Sequence, residues 1–157
     1  MAAYEEMRPI AEEMRHVVKF ELPAQPLLVT ADPEKLTPSF INIINNAIRF
    51  TPRGGQITIG AAPKSGNILA WVKDSGIGLA ADQLNRIFDE FYQVESHTTR
   101  HYGGLGIGLT IAKGLIETQG GRIWAESEGT GMGTLIKVIV PPVGTTSLSA
   151  LHLPPAA

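Results

Sequence analysis

Asn42-Ile43-Ile44-Asn45-Asn46-Ala47-Ile48-Arg49-Phe50 is the stretch from which the rest of the chain can be read. Its apolar residues recur at helical rather than strand spacing. With about 100° of turn per residue and Asn42 set at zero, Asn46 falls at roughly 40° and Arg49 at roughly −20°. Phe40, Ile44, Ala47 and Ile48 fall on the opposite side. The predicted helix therefore lays an apolar face on a sheet and gathers Asn42, Asn46 and Arg49 on one polar stripe. A solvated helix face would give the same stripe, so the pattern alone leaves its purpose open.

Upstream, Asp32-Pro33 marks the start of this helix, with a capping side chain followed by a ring that presets φ. Thr51-Pro52-Arg53-Gly54-Gly55 ends it. Pro38 lies inside the span and removes a backbone hydrogen bond, which predicts an irregular first turn or a start at Thr37. Residues 3–15 read as a short acidic helix, 16–22 as a strand and Leu27 to Thr30 as a second, shorter one. Downstream, Gln56 to Ala62 and Asn67 to Lys73 read as strands joined by the turn Pro63-Lys64-Ser65-Gly66. A short helix is expected around Asp82–Asp89, a polar loop over 93–104, and a helix from about Leu105 to Thr118 that Gly120-Gly121 stops. Strands 122–127 and 133–140 close the domain at Pro141-Pro142, and 143–157 form a Ser/Thr/Pro/Ala-rich tail. Neighbouring strands joined by short turns imply hairpins with helices covering one face. The fold class is thus α/β, a two-layer sandwich with a mixed, mostly antiparallel sheet, and the domain spans 1–142.

The 157 residues suit one domain; 43% are hydrophobic and 18% charged, the balance of a globular chain. A formal net charge of −2 gives no electrostatic case for nucleic acid. The chain has no cysteine, which excludes disulfides and thiol chemistry. No apolar run approaches membrane-spanning length and the N-terminus lacks a signal peptide's regions. A cytoplasmic piece without membrane contact is expected, whether or not its parent is membrane-anchored.

Two glycine-rich loops follow the Asn helix. Asp74-Ser75-Gly76-Ile77-Gly78 comes at a strand end, where Asp and Gly are also common turn residues. Read functionally, the Asp74 carboxylate accepts a hydrogen bond from the 6-amino group of adenine, while Gly76 and Gly78 let backbone approach the ring. Guanine, with an oxygen there, leaves the acceptor unpaired. Gly103-Gly104-Leu105-Gly106-Ile107-Gly108-Leu109 then opens a helix, whose amides and dipole attract phosphate. It is not a P-loop, because Lys113 is followed by Gly114. Nor does a strand precede it, as a dinucleotide fingerprint requires. Asn carboxamide oxygens suit Mg²⁺, which arrives with phosphates and water.

In this order the motifs resemble the catalytic, ATP-binding domain of sensor histidine kinases, in the gyrase, chaperone, kinase and mismatch-repair ATPase superfamily. The resemblance covers roughly residues 15–141. Asn42 to Phe50 is similar to the N box, Asp74 to Gly78 to the G1 box, Ile87-Phe88-Asp89-Glu90-Phe91 to the F box and Gly104 to Leu109 to the G2 box. Gly131-Met132-Gly133-Thr134 matches the final glycine–threonine element. The resemblance implies a Bergerat-type fold with ATP and Mg²⁺ as cofactors. It implies that Asn46 coordinates Mg²⁺ with Asn42 as a metal-shell partner, that Arg49 contacts phosphate, and that Phe50 flanks adenine. Asp74 accepts from the amino group, Ile77 and Leu109 wall the base, and Thr134 supports Asp74. Gly104, Leu105, Gly106 and Gly108 hold phosphate, 93–104 form the lid, and Arg100 reaches the γ-phosphate.

Superfamily members that hydrolyse ATP alone usually carry Glu at the position of Asn42, and an amide takes no proton from water. That and Phe88-x-x-Phe91 favour a kinase over an anti-sigma serine kinase, while a non-catalytic nucleotide-binding interaction module is the other alternative. Pro38 departs from the family's usual Gln. The phosphoacceptor His and its dimerising hairpin have no counterpart here: His16 is in a predicted strand, His97 and His101 in the lid, His152 in the tail. The expected partners are therefore a separate dimerisation and phosphoacceptor helical domain and a downstream response regulator.

Overall fold

The computed structural model describes residues 1–92 and 108–142. Helix α1 (Ala2–Glu13) leads to strand β1 (Val17–Glu21), then helix α2 (Pro33–Phe50), strands β2 (Gln56–Lys64) and β3 (Asn67–Asp74), a 3₁₀ turn at Arg86–Phe88, helix α3 (Gly108–Glu117), and strands β4 (Arg122–Glu126) and β5 (Thr134–Val140). The five strands form one sheet in the order β1-β2-β3-β5-β4. β1 runs parallel to β2, and all other pairs are antiparallel.

β1 and β2 are the parallel pair of the mixed sheet expected from sequence, and not one of its hairpins. β1 reaches β2 by a crossover that contains α2, as parallel strands must. Leu27 to Thr30 is not a strand either; it makes a single bridge, Val29 to Pro142, beside a bond from the Thr30 amide to the Pro141 carbonyl. Pro142 has no N–H to continue a ladder, so pairing stops there. The helix expected around Asp82–Asp89 is a run of turns ending in the 3₁₀ turn.

α2 begins where predicted, with Asp32 Oδ1 accepting from the Glu34 amide at 2.9 Å and Pro33 at the first helical position. Pro38 is absorbed without interrupting the helix, against the expected irregularity. Ile43, Ile44, Ala47 and Ile48 are buried on the sheet side. They meet Ile57, Val72, Ile136, Val138 and Ile123, the inward residues of the strands. α1 packs on α2 through Ala3, Met7 and Ala11, spaced four apart. It ends in a Schellman arrangement: the His16 amide donates to Ala11 O and the Arg15 amide to Glu12 O, with Arg15 at φ 55°.

Ser65 and Gly66, both at positive φ, make the two-residue hairpin turn between β2 and β3. Pro63 is tolerated in β2 because β1 pairs only as far as Gly60. On the outer face the Trp71 ring covers Gly60, where a Cβ would collide with the indole, and its Nε1 donates to Glu21 Oε2 at 3.2 Å. At the Asn67 end of β3, Met1, Phe20, Leu36, Ile68 and Val140 line an apolar groove between helices and sheet. Asp74 lies at the other end of that strand.

Candidate functional site

Three elements converge at the Asp74 end of β3: the last turns of α2, the loop Asp74–Gly78, and the turn 127–134 that leads into β5. Backbone bonds weld them. The Phe50 carbonyl, an orphan acceptor at the end of α2, takes the Ile77 amide at 3.1 Å. Ser75 closes on β2 through Gln56: its amide donates to the Gln56 carbonyl at 3.0 Å and its hydroxyl oxygen accepts from the Gln56 amide at 2.9 Å. The Gly131 amide donates to Ile77 O at 2.6 Å and the Gly133 amide to Gly76 O at 3.1 Å.

The glycines serve this welding. A Cβ on Gly76 would strike the Phe50 carbonyl, one on Gly78 the Gly129 carbonyl, and one on Gly133 the Asp74 carbonyl. Gly76 and Gly78 were expected to bring backbone up to a ring. Their bare faces instead press on protein backbone, although Gly78 also lines the cavity.

Asp74 is 4% exposed. Its Oδ1 accepts from the Gly76 amide at 2.8 Å and from the Thr134 amide at 3.2 Å. Thr134 thus supports the carboxylate through its main chain. Among the described residues both hydrogen bonds to this carboxylate end on Oδ1. Burial pushes the carboxyl up to about 6, against the two amide bonds that pull it down.

The cavity over Asp74 is walled by Asn46, Phe50, Ile77, Gly78, Leu109 and Thr134, all expected from sequence, and by Leu79, Ile87 and Tyr92, which were not. Tyr92 is held by the Arg86 guanidinium, 4.5 Å from its ring centroid. Its only sequence signal was an aromatic just after the Phe-x-x-Phe run. Ser127 was also missed. Its hydroxyl accepts from the Leu79 amide at 3.1 Å and donates to Gly133 O at 2.7 Å, tying the two glycine loops together.

Asn42 stands one turn before Asn46, its Oδ1 facing Gly108 at the start of α3. Arg49 is half-buried in the last turn of α2 and is not among the cavity walls. Arg100, Gly104, Leu105 and Gly106, with the expected lid 93–104, lie outside the described residues, as do His97, His101, His152 and the tail.

Among the described residues no cluster of three His, Cys, Asp or Glu exists to hold a metal. The donors on hand are neutral carboxamides, which suit a hydrated Mg²⁺ brought in by phosphate and no tighter-binding ion.

Residues 31–144 match the family of histidine kinase-, DNA gyrase B- and HSP90-like ATPases. The chain belongs to that family. Nucleotide binding is the property that membership of this family implies. Sensor histidine kinase WalK of Bacillus subtilis is 40% identical over 122 residues, which cover 76% of this chain and 20% of WalK. The chain spans between 12% and 29% of the length of these curated relatives. Full-length ShkA solved with AMPPNP superposes with a TM-score of 0.76 at 28% identity, over 89% of this chain and 28% of that one. Histidine kinase ThkA, solved in complex with the response regulator TrrA, gives 0.73 at 25% identity, over 89% and 38%. The mixed five-stranded α/β fold is that of histidine kinase catalytic domains. Among the described residues no helix is long and apolar enough to cross a membrane.

Proposed function

We propose that residues 1–142 form the ATP-binding catalytic unit of a two-component sensor histidine kinase, with 143–157 as a tail. The observation that carries this reading is Asp74: a buried carboxylate with one oxygen tied to two amides, lining a cavity whose other walls are mostly apolar side chains. That arrangement accepts an exocyclic amine and disfavours a carbonyl, so adenine is selected over guanine. Phe50, Ile77, Ile87, Tyr92 and Leu109 supply the apolar faces for the ring.

Asn46 and Asn42 would hold Mg²⁺ through their carboxamide oxygens, and the ion would supply charge neutralisation on the phosphates. Arg49, the start of α3 at Gly108, and Gly104, Leu105, Gly106 and Arg100 complete the phosphate side in this proposal. The acceptor imidazole, on a separate helical domain, attacks the γ-phosphorus in line, the bond from Pγ to the bridging oxygen breaks, and ADP leaves. Positioning and electrostatics carry such a transfer, with little covalent work for the protein. No carboxylate stands at Asn42 to deprotonate water, which keeps idle hydrolysis slow. A response regulator would then receive the phosphoryl group.

The test mixes this chain with ATP, Mg²⁺ and a separately prepared acceptor hairpin. Acid-labile phosphohistidine on the hairpin is expected, and Asn46→Ala should abolish it while leaving the melting curve intact. Acid-stable label, or none with a folded hairpin, would refute the kinase reading.

A further inference from the structure

We propose that Thr110 is a positioning residue for the base site: its hydrogen bond to Phe88 sets the separation of two facing walls, Ile87 and Leu109. This rests on the nucleotide reading above. Thr110 Oγ1 donates to the Phe88 carbonyl at 2.7 Å, across 22 positions of sequence. The residue before each partner, Ile87 before Phe88 and Leu109 before Thr110, is buried and lines the cavity. One bond between 88 and 110 therefore fixes the gap between 87 and 109.

The turn needs that support. Arg86–Phe88 is a single 3₁₀ turn, with poorer hydrogen-bond geometry than a helix and too few residues to hold itself. After it the chain goes extended at Asp89, ψ 144°, so no helix continues to stabilise it. α3, by contrast, is packed along α2 through Leu109, Ala112 and Ile116. The bond lends the rigidity of α3 to the turn. One turn further along α3, the Lys113 ammonium sits 5.8 Å from the Phe88 ring centroid, a weak second contact.

The direction of the hydroxyl matters. Ser and Thr on helices commonly return the hydroxyl to their own helix, as Ser39 does to Lys35 O at 2.7 Å. Thr110 spends its donor on another element.

The experiment is titration calorimetry on the full chain with Mg²⁺ and AMPPNP, and separately with adenosine. Thr110→Val and Thr110→Ala should weaken both ligands by a similar factor, about three- to tenfold, the worth of one ordinary hydrogen bond. Thr110→Ser, which keeps the donor, should stay within about twofold of the wild type. Adenosine carries no phosphate, so an equal loss on both ligands places the effect at the base walls. Should Thr110→Val fail to fold, the Ala and Ser variants make the same comparison, Ala being the best helix former. Wild-type affinity in Thr110→Ala, or equal losses in the Ala and Ser variants, would overturn the proposal. A wild-type chain that binds neither ligand would instead bring down the nucleotide reading beneath it.

Discussion

The amide of Thr134 reaches Oδ1 of Asp74 across sixty positions, at 3.2 Å, and so presents the carboxylate from the strand next door. Asp74 and Thr134 are also register partners in the β3–β5 ladder. The acceptor proposed for the base is therefore set by sheet pairing and not by a loop.

That rigidity has a cost that Asp74→Asn should reveal. The native carboxyl titrates at about 6 against an ordinary 3.8. The folded state binds the proton more tightly than the unfolded one, so this contribution is greatest below pH 4 and lost as pH rises through 6. An Asn oxygen still accepts from both amides and carries no charge. We expect Asp74→Asn to be more stable than wild type by up to about 3 kcal/mol at pH 8, from roughly two pKa units. The gap should close near pH 4. Urea titrations at the two pH values measure it.

Ligand affinity should follow the same group in the opposite sense. The amino group of adenine needs the ionised acceptor, so AMPPNP binding with Mg²⁺ should be constant above pH 7. It should weaken as pH falls below about 6, approaching tenfold per unit. Calorimetry between pH 5 and 8 tests this, and a flat profile would show that Asp74 is not the acceptor.

Two glycines at similar dihedrals should behave differently. Gly133 has φ 73° and a Cβ there would strike the Asp74 carbonyl; Gly66 has φ 78° and open space. Gly66→Ala should cost only the left-handed penalty, about 1–2 kcal/mol. Gly133→Ala should cost more than about 3 kcal/mol and displace Asp74 as well, with loss of nucleotide binding. Chemical denaturation of the pair, with calorimetry on both variants, separates strain from collision.

Arg15 offers a gain. It occupies the left-handed position of the Schellman cap that ends α1, at φ 55°, where glycine is the usual residue. Arg15→Gly should stabilise the chain by about 0.5–1 kcal/mol, the relieved strain less the added unfolded-state entropy. A higher melting temperature with unchanged nucleotide affinity is the expected result.

α2 was legible from end to end because its signals are local: Asp32-Pro33 caps one end and Thr51-Pro52 stops the other. The later hairpins were legible for the same reason, their turns being two to seven residues long and rich in Gly. The parallel pairing of β1 with β2 was not, since nothing within either strand records the direction of a partner more than thirty residues away. Leu27 to Thr30 has strand composition but meets a proline-terminated edge. Of the site, Asn46, Phe50, Asp74, Ile77 and Leu109 were readable as motif residues. Leu79 looks like an ordinary core residue in sequence, Ile87 was read as part of a motif but not as a cavity wall, and the Ser127 hydroxyl gains its meaning from the Leu79 amide 48 positions away.

The groove that Met1 shares with Ile68 and Val140 lies towards the opposite end of β3 from Asp74, with Ile68 six residues or roughly 20 Å along the strand. Met1 thus stands behind the candidate site, where a handle stands behind the bowl of a ladle. A dye, surface tether or fusion partner joined ahead of Met1 can pull or swing the domain without obstructing the bowl, which makes that end the natural point of attachment for single-molecule and immobilised binding assays.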